Sequence, residues 1–490
     1  MKETYEDACK VIIWLGDKPE RREATSRAAS FLHERIPLTP DGLVPILERP
    51  DYFQNPTNRT IMSTIGQDVF RRSWWWRMWV IQEVAVAKSL VVICDGHHFS
   101  WERLLYTMQW MSMMQMDVAN PTPEDVAEGN IFFPNIMFKS KYRWMLANDQ
   151  TIPILELLEN AASCLATDPR DMIFSLLGLT LDIQSSPTVN SEHKVVCDYK
   201  RSVQEVYIDF AKVHIHTHNS LEVITASRYY KGRIAGLPSW VPDWSNMRNS
   251  SCLSLVNPGV SSRERAAIRN VYRYHALGDR RPEIEFISDN ILRVSGIRVD
   301  TITQVGKPYV DLEPPGEKFD RIIQDWQAIA LGKWGRRASE PYMKTEQTLL
   351  EAFDRTITAD VNLVGERAQE NERYLYLTSL VVWVGNDMKD IWDQWNRAKR
   401  AVYLRIKGRL FFVTSQGLFG LGPRNTEVGD VVFVLFGCNV PVVLRPSGDQ
   451  WTFVGEAFVT GIMDGGLDEE IERKKSSDRS WPHEESVLIR

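Results

Sequence analysis

The chain is poor in cysteine: of its 490 residues only Cys9, Cys94, Cys164, Cys197, Cys252 and Cys438 are thiols, and none forms a C-x-x-C pair. That spacing argues against a zinc ribbon and a redox dithiol, and fits reduced thiols in a cytoplasm. Nor does any run approach the roughly 18–20 apolar residues needed to cross a bilayer, and Met1 to Asp7 is charged, so neither a membrane span nor secretion is indicated. Positive charge is not in excess. The net charge of -6 leaves no overall basic footprint for neutralising phosphates, which speaks against nucleic acid as a partner. The sequence contains no G-x-x-x-x-G-K-[ST] run, no G-x-S-x-G elbow and no internal repeat, so a P-loop switch, an α/β-hydrolase nucleophile and a solenoid are unsupported.

What is present is an ordinary globular composition, 43% apolar and 25% charged, in a chain too long for one hydrophobic core. Two or three domains follow. Apolar spacing predicts a helix over 2–8, a buried strand at Val11 to Leu15, helices over 22–35, 74–87 and 101–116, and a second buried strand, Leu90 to Cys94, ended by the turn dipeptide Asp95-Gly96. Alternating helices and buried strands read as α/β over residues 1–185. Two helices are expected between Ile152 and Leu179, divided at Asp168-Pro169-Arg170-Asp171, where Asp168 suits an N-cap and Pro169 the first helical position.

Residues 186–400 read as mainly helical, with helices over 202–214, 318–331, 346–359 and 372–397 and a short strand segment over 291–305. Within them Leu237 to Trp244 carries two prolines and reads as a rigid packed connection. Residues 401–465 have Val, Phe and Leu runs broken by Gly or Pro every 8 to 12 residues, the pattern of a small β-barrel-like module. Residues 466–490 are charged and polar, and read as a tail that does not pack.

The densest pattern is Arg72-Ser73-Trp74-Trp75-Trp76-Arg77-Met78-Trp79-Val80-Ile81-Gln82-Glu83. On one helix Trp75, Trp79 and Glu83, spaced by four, line up, placing a carboxylate at the end of an aromatic stripe where desolvation raises its pKa. Such an acid suits a pocket. It could stabilise the oxocarbenium-like charge of a nicotinamide ribosyl bond being cleaved, as carboxylates do in glycoside hydrolysis. The alternative is that the tryptophans are core and Glu83 pairs with Arg72 or Arg77.

This block resembles the most specific segment of fungal heterokaryon-incompatibility (HET) domains, and Val11-Ile12-Ile13-Trp14-Leu15-Gly16 resembles the segment before it. Asp168 to Asp171 with Phe174 to Leu179, Leu237 to Trp244, and Gly417-Leu418-Phe419-Gly420-Leu421-Gly422-Pro423 resemble segments that recur downstream in these proteins. The resemblance implies a HET domain over 1–185, its N-terminal portion missing: an upstream strand, a helix and a Cys-Ile-Asn-Gln-like block have no counterpart here. HET domains resemble the TIR fold, a flavodoxin-like three-layer arrangement. The same resemblance implies Glu83 as the catalytic carboxylate of an NAD-glycohydrolase, with Trp79 and Trp75 walling the NAD site. It also implies a cytoplasmic effector of self/non-self recognition and cell death, working through protein partners or self-assembly.

Weaker constellations receive structural readings. His214, His216 and His218 lack a carboxylate at a metal-ligand spacing, so no metal site is assigned. His97 and His98 beside Asp95 and Ser100 read as a solvated turn, not a triad. Gly417, Gly420 and Gly422 read as turn glycines, since no dinucleotide fingerprint surrounds them.

Overall fold

Strand β1 (Val11–Trp14) and strand β2 (Leu90–Cys94) pair in parallel, Val11 opposite Leu90 through Trp14 opposite Ile93. Both are β-branched runs bounded by turns, as strand chemistry favours. After β2 the dipeptide Asp95-Gly96 takes positive φ at both positions, 50° and 81°, a turn whose twist suits a two-residue hairpin. Strand β3 (His97–Ser100) therefore returns antiparallel along β2. His97 and His98 thus lie in a strand instead of the expected solvated turn, because Asp95-Gly96 completes the reversal by itself.

The computed structural model describes residues 2–36, 38–39, 42–43, 55–113, 134–148, 150, 152–180, 183, 195–228, 230–247, 274–276, 282–310, 317–343, 345–361, 367, 402–403, 405–465 and 483–490. They fall into two compact units, Met1–Gln184 and Ser185–Arg490. The helix expected over 372–397 lies outside the described residues.

In the first unit the sheet is joined by α1 (Lys2–Asp7), α2 (Arg22–Arg35), α3 (Pro56–Thr64), α4 (Val80–Ala85), α5 (Trp101–Met113), α6 (Pro134–Ala147) and α7 (Ile154–Asn160). The unit is α/β, with a mixed sheet ordered β1-β2-β3. Ile13, Leu32, Val80, Val84, Val92 and Met108 share one core, each buried side chain contributing about 1.5–3 kcal/mol. Strand β1 is buried on one face only: Ile12 and Trp14 are 60% and 66% exposed. The buried strand expected at Val11 to Leu15 is thus present but buried on one face alone, because a strand turns alternate side chains to opposite faces.

The helix expected over 74–87 is broken. Ser73–Trp76 is a 3₁₀ turn, Arg77 is extended (φ -77°, ψ 137°), and a helix resumes only at Val80. The reason is tertiary. Leu165 takes the Trp76 carbonyl and gives its own carbonyl to Met78 N, supplying from outside the bonds a helix would make within. Trp74, Trp75 and Trp76 are all buried in this short turn.

The second unit contains α8 (Val203–His218), α9 (Glu317–Leu331) and α10 (Leu349–Ile357). Capping boxes start α8 (Ser202 with Glu205) and α10 (Thr348 with Glu351). Its strands are β4 (Ile284–Phe286), β5 (Leu292–Val305), β6 (Arg409–Thr414), β7 (Phe419–Pro423), β8 (Val431–Leu435), β9 (Val442–Ser447), β10 (Gln450–Glu456), β11 (Phe458–Val459) and β12 (His483–Ile489). The hydrogen-bonded path β8-β9-β10-β12-β5 returns to β8, closing a barrel, while the far half of β5 continues into β6-β7-β11. Gly420 sits where a Cβ would come within 2.2 Å of the Phe412 ring, so this glycine is demanded by packing.

Two expectations are corrected. The β module is not confined to 401–465, since β5 supplies one stave and bridges two groups of strands. Nor do residues 466–490 all form an unpacked tail: β12 pairs with β5 from His483 opposite Arg298 to Ile489 opposite Leu292. Its Val487 and Ile489 are fully buried at alternate positions. The preceding charges obscured this short apolar alternation.

Helix α10 buries Asp354 to 1% exposure, and among the described residues neither carboxylate oxygen has a hydrogen-bond partner. Burial, with Glu351 adding to it, raises its pKa well above the usual carboxylate range. The folded chain then keeps a proton that the unfolded chain releases above about pH 4, so the carboxyl's contribution is full below that pH and is lost as pH rises towards the folded value. Asp354→Asn is expected to be more stable than the parent at pH 8 by on the order of 1–2 kcal/mol, with little difference at pH 4. Urea unfolding at both pH values checks this; an identical offset at both would mean that the carboxyl does not titrate.

Candidate functional site

Glu83 projects from the first turn of α4 and is partly buried. Desolvation raises its pKa, opposed by nearby Arg77, by hydrogen bonds from the Tyr5 hydroxyl and the Trp74 indole, and by Lys139. The raised carboxyl pKa is the direction expected from sequence. Its setting is not the expected one. Trp75, on the far side of the break at Arg77, is 3% exposed, donates its indole N–H to Val69 O at 2.8 Å and packs on Trp74 and Trp101. Trp79, half-buried, immediately precedes α4, and its carbonyl accepts from Glu83 N. Trp75, Trp79 and Glu83 therefore do not form one stripe, and the aromatics that bond the carboxylate are Tyr5 and Trp74.

Beside Glu83 stands Lys139, wholly buried on α6, its ammonium donating to Trp75 O at 2.7 Å. Burial pulls its pKa down to about 8. One turn further on, Arg143 donates to Ala87 O and Lys88 O, just ahead of β2. Glu83 and its neighbours thus belong to the side of the sheet where the parallel strands begin.

The side where those strands end carries a second cluster that sequence reasoning missed. Asp95 is wholly buried, and Arg72 Nη2 bonds both of its oxygens at 2.7 and 2.8 Å. Thr25 Oγ1 and Lys18 N donate to the same carboxylate at 2.8 and 2.6 Å. Burial alone would raise the Asp95 pKa, but these hydrogen bonds and the Arg72 charge hold it below the usual range. Arg72 Nε also donates to Asp68 O, and Arg21 grips the Asp68 carboxylate through two bonds of 2.8 and 2.6 Å. Ligands of open α/β sheets bind near strand C-termini, so this is the conventional position for a site. Both carboxylate oxygens of Asp95 are nevertheless already engaged, and the cluster serves as a clamp joining the β1 loop, α2 and the β2–β3 turn. Arg72 thus pairs with Asp95, not with Glu83.

Other candidates resolve structurally. His214 and His218 stack face to face, ring centroids 4.2 Å apart, instead of converging on a point. Among the described residues no group of three or more His, Cys, Asp or Glu is placed to hold a metal. Asp168 accepts from Arg170 N and its guanidinium, and so orders the turn that leads into the short helix Asp171–Phe174. The segment Leu237 to Trp244 is packed as expected, with Trp240 and Trp244 buried, and it does more: Ser239 N and Oγ both hold the main-chain oxygen of Arg490.

Residues 393–476 match the family model of the Het-6 beta-barrel domain. The chain is also similar to heterokaryon incompatibility protein 6, OR allele, of Neurospora crassa, 22% identical in an alignment covering 97% of this chain and 79% of that protein. No solved structure gives a significant match. The matched barrel segment includes β6 to β11, but not β5 and β12, which close the circuit.

Proposed function

We infer that this chain, a fungal protein of the heterokaryon-incompatibility (HET-domain) type, acts in self/non-self recognition and incompatibility-triggered cell death by assembly of its α/β unit. On this reading the unit is a TIR-like HET domain working in the cytoplasm with protein partners or further copies of itself, and neither nucleic acid nor a membrane is its target. Among the described residues no helix is long and apolar enough to cross a membrane.

The observation that carries the reading is the outer face of β1. Its Ile12 and Trp14 are exposed side by side, and among the described residues β1 pairs only with β2, so one edge offers its main-chain groups. An apolar face on an edge strand is a template for another chain. Ile12→Asp with Trp14→Asp is expected to keep the fold, since both side chains project outward, and to abolish association. Sedimentation velocity across a concentration series, alone and with cell extract from the host fungus, reads this out. A parent chain that stays monomeric under both conditions would remove the support.

A second reading has one observation in its favour, the desolvated Glu83. In it Glu83 is the catalytic carboxylate of an NAD-glycohydrolase, and Trp79 and Trp75 flank the NAD. It ranks second for two reasons: the Trp75 ring is committed to the core, and the carboxylate is already bonded by Tyr5 and Trp74. Glu83→Gln retains those hydrogen-bonding partners and is expected to shift stability by less than about 1 kcal/mol. NAD consumption by the purified parent at high concentration, lost in Glu83→Gln, is the outcome this reading requires. NAD left intact by the parent ends it.

A further inference from the structure

The barrel of the second unit closes through a strand that arrives from far along the chain. Strand β12 lies between β5 and β10, and twenty-three residues, 460–482, separate it from the preceding strand β11. With β5 it makes a seven-residue antiparallel ladder, but with β10 only one parallel pair, Trp451 opposite Ile489, followed by Arg490 N donating to Trp451 O. Its described side chains bury just two positions, Val487 and Ile489, while Glu484 and Ser486 face solvent. One residue beyond Ile489, Ser239 captures the main-chain oxygen of Arg490 through N and Oγ, and the same Oγ accepts from Phe453 N of β10.

Without β12, residues 292–298 of β5 would present an unpaired row of N–H and C=O groups, two apolar pockets two residues apart, and a built oxygen-binding end at Ser239. That is the recognition chemistry of strand addition: main-chain bonds for affinity, alternate pockets for selectivity, and a fixed terminus for register. We infer that the seam between β5 and β10 is a strand-acceptor site, filled here by β12 of the same chain and open to β12 of a second copy. A chain of n residues spans at most about 3.3–3.6 Å × n, so even the last seventeen residues of that connection, 466–482, have a contour of roughly 55–60 Å, enough to deliver the strand to a neighbouring copy. A strand held within its own chain competes at an effective concentration on the order of millimolar, so exchange grows with chain concentration. The site is separate from β1 and does not depend on how the first unit assembles.

The register supplies the test. Ser486 stands opposite Ser295, and facing residues of an antiparallel pair lie within disulfide reach. A full-length Ser486→Cys chain is mixed with a full-length Ser295→Cys chain and oxidised with oxidised glutathione. The expected result is a disulfide-linked heterodimer, at least tenfold above that from mixed parent chains. It increases with concentration and is suppressed by an excess of a synthetic peptide spanning residues 483–490. The double variant, carrying both cysteines in one chain, is expected to close the bond internally, which shows that the thiols are reactive and the ladder is formed. An internal bond in the double variant together with no heterodimer in the concentrated mixture overturns the proposal, as does a heterodimer that the peptide does not suppress.

Discussion

Asp95→Ala is expected to destabilise the first unit by about 3–5 kcal/mol, enough to unfold most of a marginally stable domain at room temperature. Two effects add. Removing the carboxylate strands the Arg72 guanidinium, which is 9% exposed and has both Asp95 oxygens as partners, in a site with little water. Alanine must also adopt the positive φ of 50° at a turn where aspartate and asparagine are tolerated far better. Asp95→Asn separates the two, because it keeps the backbone preference and the bond from Thr25 while deleting the charge. It should lose clearly less than alanine.

The pH dependence of the same clamp has the opposite sign to that of Asp354. The folded pKa of Asp95 is lowered, so its stabilisation is present above about pH 4 and disappears as pH falls through the folded value. Tryptophan fluorescence during urea unfolding reports both units, the first through Trp74, Trp75 and Trp101 and the second through Trp240, Trp244 and Trp326, so the part of the transition that Asp95→Ala shifts belongs to the first. A stability of Asp95→Ala within 1 kcal/mol of the parent would show that the cluster is not the clamp described.

Glu456→Ala carries the second large effect, again about 3–5 kcal/mol, now in the barrel unit. Arg409 opens β6 and Glu456 ends β10; both side chains are 1% exposed, and Arg409 donates to the Glu456 carboxylate and to its carbonyl. Arg228 adds a more distant charge at 3.9 Å. Truncating the acid leaves the Arg409 charge buried without its carboxylate, whereas replacing both partners with apolar residues of similar volume removes the burden together with the bond. Glu456→Leu with Arg409→Met should therefore recover much of the loss. Thermal unfolding of the single and double variants checks the difference, and a double variant no more stable than Glu456→Ala would refute this ordering.

Elements built from local periodicity were legible in the sequence. The helix over 22–35, the strands at 11–14 and 90–94, the strand at 292–305 and the β runs after Arg409 follow from apolar spacing and turn residues within a few positions of each other. What escaped depends on partners far away. The break at Arg77 is imposed by Leu165, the clamp joins Arg72 to a residue 23 positions on and Arg21 to one 47 positions on, and Ser239 meets Arg490 across 251 residues. Glu83 illustrates both cases. The direction of its pKa shift was readable from neighbouring aromatics, as was Arg77 as a nearby charge, but Tyr5 and Lys139 lie on other elements, and the tryptophan stripe vanished with the helix that was to display it.

We propose that the first unit works by contact through β1 and not by chemistry at Glu83. The most direct test is growth arrest and death of fungal cells induced to express the parent chain, the Ile12→Asp, Trp14→Asp variant, or Glu83→Gln at matched protein levels. The two aspartates are expected to silence the response while Glu83→Gln remains as potent as the parent. The reverse pattern, a silent Glu83→Gln beside a fully active β1 variant, would contradict it.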